Sequence, residues 1–272
     1  MEEGRRGMSP RARGVKVCVI NGHGINADEE LALAFEMAGA SARRIHAGDL
    51  ARDPSMLSGF QIVALPGGFS FGDHLGSGKV FATLFRRSLG PALGRLVGAG
   101  GLIIGVCNGF QALVKMGLLP DIAGTQTQEV SLIHNDSGRF EDRWVRVAFE
   151  AGSRCIWTRG LPQIDLPVRH GEGKLVVKSQ SVLEALEVRG LVALHYVCQT
   201  SNSCAEVRYP DDPNGSVNHI AGLCDPTGRV LGLMPHPEAF LYPENHPNWT
   251  TRRPFEGGGL AIFRNGVRAL GH

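Results

Sequence analysis

The sequence predicts an α/β protein built on a doubly wound, mostly parallel sheet with antiparallel strands added to it. Three observations lead there. In the first half, short apolar runs alternate with helical stretches in the order β-α-β-β-α-β-α. Several of those runs stop in glycine-bearing turns. After Leu119-Pro120 the pattern changes to short strands separated by turns.

Taken in order, Val15 to Ile20 reads as the first strand, with Asn21-Gly22-His23-Gly24 as a tight loop after it. Asn26-Ala27-Asp28-Glu29 offers a capping-box start to a helix whose apolar stripe is Leu31, Ala34, Phe35 and Ala38, ended by Gly39. Arg43 to His46 is a short second strand and Ile62 to Leu65 a third, running into Pro66-Gly67-Gly68-Phe69-Ser70-Phe71-Gly72-Asp73. Two glycines just past a strand can turn backbone N–H groups outward into an anion-binding nest. Ligands on open parallel sheets gather at that end of the strands. Ser77 is expected to cap a helix bearing Val80, Phe81, Leu84 and Phe85, and Leu93, Leu96 and Val97 to mark a separate short helix.

Leu102 to Val106 is a buried strand, and apolar positions Phe110, Leu113, Val114 and Gly117 continue at helical spacing. Between them, Gly105 and Gly109 flank Cys107 in the G-x-nucleophile-x-G layout of a nucleophile elbow, with sulfur in place of oxygen. A strand that turns abruptly into a helix strains the nucleophile's backbone and leaves no room for a Cβ on its glycine neighbours. The helix N-terminus favours thiolate over thiol and offers N–H groups to an oxyanion. Beyond it, Val145 to Phe149, Ile164 to Val168, Lys174 to Lys178, Leu191 to Val197, Asn218 to Leu223 and Val230 to Met234 are candidate strands. Leu260, Phe263, Val267 and Leu270 form an amphipathic C-terminal helix.

Composition narrows the function class. The 272 residues suit one domain over 15–272, preceded by a basic tail over 1–14 that is expected to be disordered. With 28 Lys+Arg against 26 Asp+Glu, a net charge of +2 gives no reason to invoke nucleic acid or a membrane surface. No apolar run approaches the length of a membrane span. The six cysteines form no C-x-x-C pair, so a reduced, cytoplasmic setting fits better than a disulfide framework. No Cys/His set has zinc-ligand spacing, and the first strand-loop-helix unit lacks G-x-G-x-x-G and a P-loop lysine.

A thiolate nucleophile needs a proton acceptor, and the acceptor needs an orienter. His236-Pro237-Glu238, just past the Val230 to Met234 strand, supplies both. In an extended segment residues two apart share a side, so Glu238 can hydrogen-bond His236 and fix its tautomer, with Pro237 keeping the segment out of helical geometry. Of the other histidines, His170 and His195 lie in or near strands and are expected to be loop or surface residues rather than catalysts, and His74 is placed to line a cleft. The elbow alone also suits a cysteine hydrolase of another class, or a binding module that has kept the fold.

Gly105-Val106-Cys107-Asn108-Gly109-Phe110-Gln111 and Pro235-His236-Pro237-Glu238 resemble the class I (triad) glutamine amidotransferases. Pro66 to Asp73, Asn135-Asp136-Ser137-Gly138-Arg139-Phe140, His170-Gly171-Glu172-Gly173 and Pro213-Asn214-Gly215-Ser216 are similar to the family of glutaminase subunits of phosphoribosylformylglycinamidine synthase, from about Val15 to Trp249. The resemblance implies a flavodoxin-like sheet and a triad of Cys107, His236 and Glu238. It implies oxyanion donors from Gly68 or Phe69 and from Asn108, and glutamine contacts from Gln111, Asn135, Ser137 and Arg139. It also implies two partners, a synthetase subunit together with a small assembly subunit. No cofactor is implied in this subunit; ATP and magnesium belong to the synthetase. The chain departs from that family at Gly76, where a basic residue is common, and in a longer segment from Arg154 to Leu161.

Overall fold

The computed structural model describes residues 14–199, 206–251 and 257–271; the predicted tail, Gly14 aside, lies outside them. The elements run β1 (Lys16–Asn21), α1 (Asp28–Met37), β2 (Ser41–His46), α2 (Ala47–Arg52), β3 (Ile62–Leu65), α3 (Lys79–Gly98), β4 (Leu102–Val106), α4 (Asn108–Met116) and β5 (Val130–Ile133). There follow β6 (Glu141–Phe149), β7 (Ile164–His170), β8 (Lys174–Val177), α5 (Gln180–Val188), β9 (Val192–Val197), β10 (Ile220–Cys224), β11 (Val230–Leu233) and α6 (Leu260–Arg268).

One nine-stranded sheet organises them in the order β2-β1-β3-β4-β11-β10-β9-β6-β7. The first five strands pair in parallel, and the four added beyond β11 pair antiparallel. The predicted doubly wound sheet with antiparallel additions is thus present. β3, β4 and β11 are buried at every residue, because helices cover both faces of a parallel sheet. The outer strand β2 carries Arg43 and Arg44 instead, and Arg44 binds Asp28 and Glu29 of α1. Charge on an edge strand discourages pairing with other chains. β5 and β8 form a separate antiparallel pair.

Local expectations fail where short-range signals compete. α1 has Ala27 at its N-cap with no side-chain cap; Asp28, Glu29 and Glu30 in its first turn complement the helix dipole in place of a capping box. α3 is one helix of 20 residues through Pro91, with Gly78 at its N-cap rather than Ser77. The proline removes one bond, but Phe81, Phe85, Leu89, Ala92 and Leu93 lie on one buried face and packing holds the helix together. α2, β5 and α5 go beyond the elements that the sequence pattern predicts; α5 is started by Ser179, whose hydroxyl accepts from the Val182 N–H. The segment from Arg154 to Leu161 is a wedge. Trp157 is fully buried against Phe35 and donates to the Arg229 carbonyl, and Asn265 of α6 donates to the Trp157 and Arg159 carbonyls. Cys18, Cys107, Cys155 and Cys224 are free thiols, whereas Cys198 is disulfide-bonded, against the expectation of reduced cysteines. Among the described residues no helix is long and apolar enough to cross a membrane.

The elbow glycines are required sterically. A Cβ on Gly109 would lie 2.0 Å from the Leu65 carbonyl oxygen, and one on Gly105 2.5 Å from Leu113 Cδ1. The Leu65 oxygen belongs to a buried strand and has nowhere to retreat. Gly109→Ala is therefore expected to destabilise the fold by about 3 kcal/mol, at the upper end of overpacking costs. Chemical denaturation checks this; an unchanged midpoint contradicts the close packing.

Candidate active site

Strand register brings the reacting groups together. β4 lies between β3 and β11, with Leu65 opposite Gly105 and Leu233 opposite Val106. The residues just past each pairing therefore emerge side by side at the carboxyl edge of the sheet. They are Pro66 to Phe69 from β3, Cys107 from β4, and Pro235-His236 from β11. The Cys107 N–H donates to the Leu233 carbonyl at 2.8 Å, carrying the pairing into the elbow itself.

Cys107 has φ 49° and ψ −104°, the left-handed strained backbone expected of an elbow nucleophile. It is the N-cap of α4, so its sulfur stands at the positive end of that helix. Sγ lies 3.6 Å from the Arg169 carbonyl oxygen near the end of β7. His236 Nδ1 and Glu238 Oε1 are 2.6 Å apart, both residues buried. One expectation fails in detail: Pro237–Ala239 is a single 3-10 turn, with Pro237 at its start, rather than an extended segment. The turn still closes His236 onto Glu238. The His236 N–H donates to the Pro167 carbonyl, which fixes the base to β7.

Burial disfavours the imidazolium of His236. The Glu238 carboxylate and the Cys107 sulfur outweigh that by charge and hydrogen bonding, and hold its pKa up at about 10. Nε2 makes no hydrogen bond of full geometry to its surroundings. It is the ring nitrogen left to serve the sulfur, because Nδ1 is committed to Glu238. Gly67 explains the close fit: a Cβ there would lie 2.7 Å from His236 Cε1 and 3.6 Å from Cys107 Cβ.

The oxyanion donors resolve differently from expectation at one position. The Phe69 N–H donates to the Gly24 carbonyl at 2.7 Å and is not available. Gly68, at φ +143° against the backbone of Gly24 and Ile25, remains as the loop donor. Asn108 opens α4 and its N–H is one of the first-turn groups without an intrahelical partner. Gln111 is buried with its carboxamide engaged at both ends, donating to the Glu172 carbonyl and accepting from Asn108 Nδ2.

Asn135, Ser137 and Arg139 lie in the loop between β5 and β6. Asn135 is buried and fully used by the chain, donating to the Arg139 and His170 carbonyls and accepting from the Gly173 N–H and His170 Nδ1. It shapes the loop beside the site, and no group is left for a ligand. Ser137 donates to Glu141 at 2.6 Å, and with Arg139 it lines a groove of about 590 Å³ shared with Tyr209, Asp212 and Asn214.

Sequence reasoning missed two residues here. His170 is buried at the end of β7, not on the surface; burial and the nearby His236 charge push its pKa down to about 3, so it stays neutral. Asp73 binds the Asn108 carboxamide, at 3.1 and 3.3 Å from its two oxygens. Both stand in stretches that carry the family resemblance, Pro66 to Asp73 and His170 to Gly173, but their partners are set by tertiary approach. Among the described residues no group of three or more His, Cys, Asp or Glu is arranged to hold a metal ion.

Residues 14–268 match the family model of the CobB/CobQ-like glutamine amidotransferase domain. A phosphoribosylformylglycinamidine synthase subunit PurQ from Dehalococcoides mccartyi is 42% identical over 93% of this chain and 97% of its own length. The chain belongs to the glutamine amidotransferases, in the PurQ family. A second PurQ subunit, from Methanococcus maripaludis, is 36% identical over 93% of this chain and 97% of its own. The structure of PurLQS from Thermotoga maritima contains a chain that superposes with a TM-score of 0.71 at 29% identity, covering 94% of this amidotransferase and 99% of that chain. The glutaminase domain of Trypanosoma brucei CTPS, 16% identical at a TM-score of 0.53 over 93% of this chain and 94% of its own, shares the fold alone.

The charge environment of His236 sets a pH expectation. Its pKa is raised in the folded protein from 6.5 to about 10. The stability this contributes is complete below about pH 6.5 and is lost as pH rises towards 10. Titration of the His236 ring by NMR is expected to show a midpoint near 10 that falls in Glu238→Gln, where the neighbouring charge is gone. A midpoint near 6.5 in the parent protein contradicts the ion-pair geometry.

Proposed function

We propose that this amidotransferase hydrolyses glutamine through a γ-glutamyl thioester on Cys107. It passes the ammonia to an ATP-dependent synthetase subunit, which converts formylglycinamide ribonucleotide to formylglycinamidine ribonucleotide in purine biosynthesis. The observation that carries the chemistry is the β4–β11 register, which sets Cys107 beside the buried His236–Glu238 pair.

Cys107 Sγ attacks the side-chain amide carbon of glutamine. The oxygen gains the negative charge and receives the Gly68 and Asn108 N–H groups, each such donor being worth roughly 3 kcal/mol. His236, holding the thiol proton on Nε2, gives it to the departing nitrogen, and ammonia leaves. Water then attacks the thioester while His236 takes its proton; glutamate departs and the proton returns to sulfur. Glu238 keeps Nδ1 protonated throughout and stabilises the imidazolium. Gln111 stands one helical turn past the nucleophile, and its engaged carboxamide shapes the wall of the glutamine pocket.

The partner reading rests on the relatives' name as a synthase subunit and on the Thermotoga maritima PurLQS assembly. ATP and magnesium are assigned to the synthetase, and a small third subunit to assembly. A cysteine hydrolase of another class is disfavoured by near full-length similarity to these subunits.

Glutamate release is the test, from the isolated chain and with synthetase, nucleotide and substrate. Cys107→Ala is expected to lose activity by about 10⁴-fold or more and Glu238→Ala by less, since an orienter contributes less than a nucleophile. A glutamine-analogue electrophile is expected to label Cys107 and no other cysteine. Labelling that persists in Cys107→Ala contradicts the assignment.

A further inference from the structure

The segment after β3 holds three consecutive residues in the left-handed region: Phe71 at φ 56°, Gly72 at 77° and Asp73 at 55°. Two of them carry side chains, which disfavour this backbone conformation. Strain of this kind persists only where the surroundings dictate it. Here the surroundings are specific. The Phe69 and Phe71 N–H groups donate to Gly24 and His23 of the β1 loop. The Asn108 side chain grips both ends of the turn: Oδ1 accepts from the Ser70 N–H at 3.2 Å, and Nδ2 donates to the Asp73 carboxylate. Asp73 Oδ1 also accepts from the Gly78 N–H at the start of α3. Asp73 thus ties the glycine-rich loop, the entry to α3 and the first residue of α4 into one clasp.

The clasp spans the two halves of the oxyanion site. Gly68 stands five residues before Asp73 on the loop, and Asn108 is the residue whose carboxamide the carboxylate holds. Asp73 Oδ1 takes both the Asn108 Nδ2 and the Gly78 N–H, and Oδ2 gives Nδ2 a second acceptor at 3.3 Å. We propose that Asp73 is a positioning residue for the glutaminase reaction: by binding the Asn108 carboxamide it fixes the Gly68 and Asn108 N–H groups on one oxygen of the tetrahedral intermediate. Asp73 does not touch the reacting atoms. It acts on charge that appears only after sulfur has attacked, so its loss is felt in turnover and not in the nucleophile itself. This rests on the thioester reading above.

The experiment separates turnover from nucleophile reactivity in the assembled synthase. With Asp73→Ala, kcat for glutamate release is expected to fall about 100-fold, the scale of one lost oxyanion donor, with KM for glutamine nearly unchanged. Alkylation of Cys107 by chloroacetamide, which builds no oxyanion, is expected to keep its rate. Asp73→Asn preserves shape and the Oδ1 acceptor, but removes the charge and sets an amide NH2 against Asn108 Nδ2 where Oδ2 stood; a loss of about tenfold, again without a change in alkylation, is expected, and it decides the matter should the alanine variant fail to fold. Unchanged kcat in Asp73→Asn, or alkylation slowing in step with kcat, overturns the proposal. Glutamate release surviving in Cys107→Ala strikes the thioester reading instead, so the two failures are distinguishable.

Discussion

The parallel pairing of β4 with β11 is the constraint on which the site depends. It joins segments more than a hundred residues apart in the chain and fixes them to within one residue of register. Val106 opposite Leu233 leaves Cys107 and Met234 at the next step, and the Cys107 N–H completes the ladder. Side chains on a strand alternate, so a slip of one residue would turn the sulfur to the other face of the sheet. Burial of both strands at every position makes such a slip costly, because every apolar side chain would move with it.

Around that pairing the protein places strain and charge where chemistry needs them. The elbow holds Cys107 in a backbone conformation that side chains disfavour, at the start of a helix whose first N–H groups are free. Burial alone would leave His236 neutral. The carboxylate of Glu238 reverses this, and a neighbouring imidazole, His170, is kept neutral by the same burial and by the His236 charge. Two histidines in one buried region are thus driven to opposite charge states, which confines the mobile proton to the one beside the sulfur.

Much of this was legible in the sequence because it rests on local pattern. The apolar runs of β1, β3, β4 and β11 marked the parallel core, and Gly105 and Gly109 around Cys107 marked the elbow. His236 and Glu238 stood out by position past a buried strand. What remained hidden depends on approach through space. No local rule distinguishes the Phe69 N–H, used by Gly24, from that of Gly68. The family resemblance implied a glutamine contact for Asn135, whose four side-chain bonds all close on the chain. α3 crosses Pro91 because its buried face outweighs one missing bond. The wedge of Trp157, without a role in the sequence reading, fills space between α1 and α6 that only the folded chain defines.

The central claim is that glutamine's acyl group passes through the sulfur of Cys107. Acid quenching of the assembled synthase during turnover, followed by peptide mass spectrometry, tests it most directly. The account predicts a γ-glutamyl adduct on the peptide bearing Cys107, released by hydroxylamine and absent from every other cysteine peptide. Steady glutamate production with no acyl group on that peptide at any quench time, or with the adduct on another residue, would contradict it.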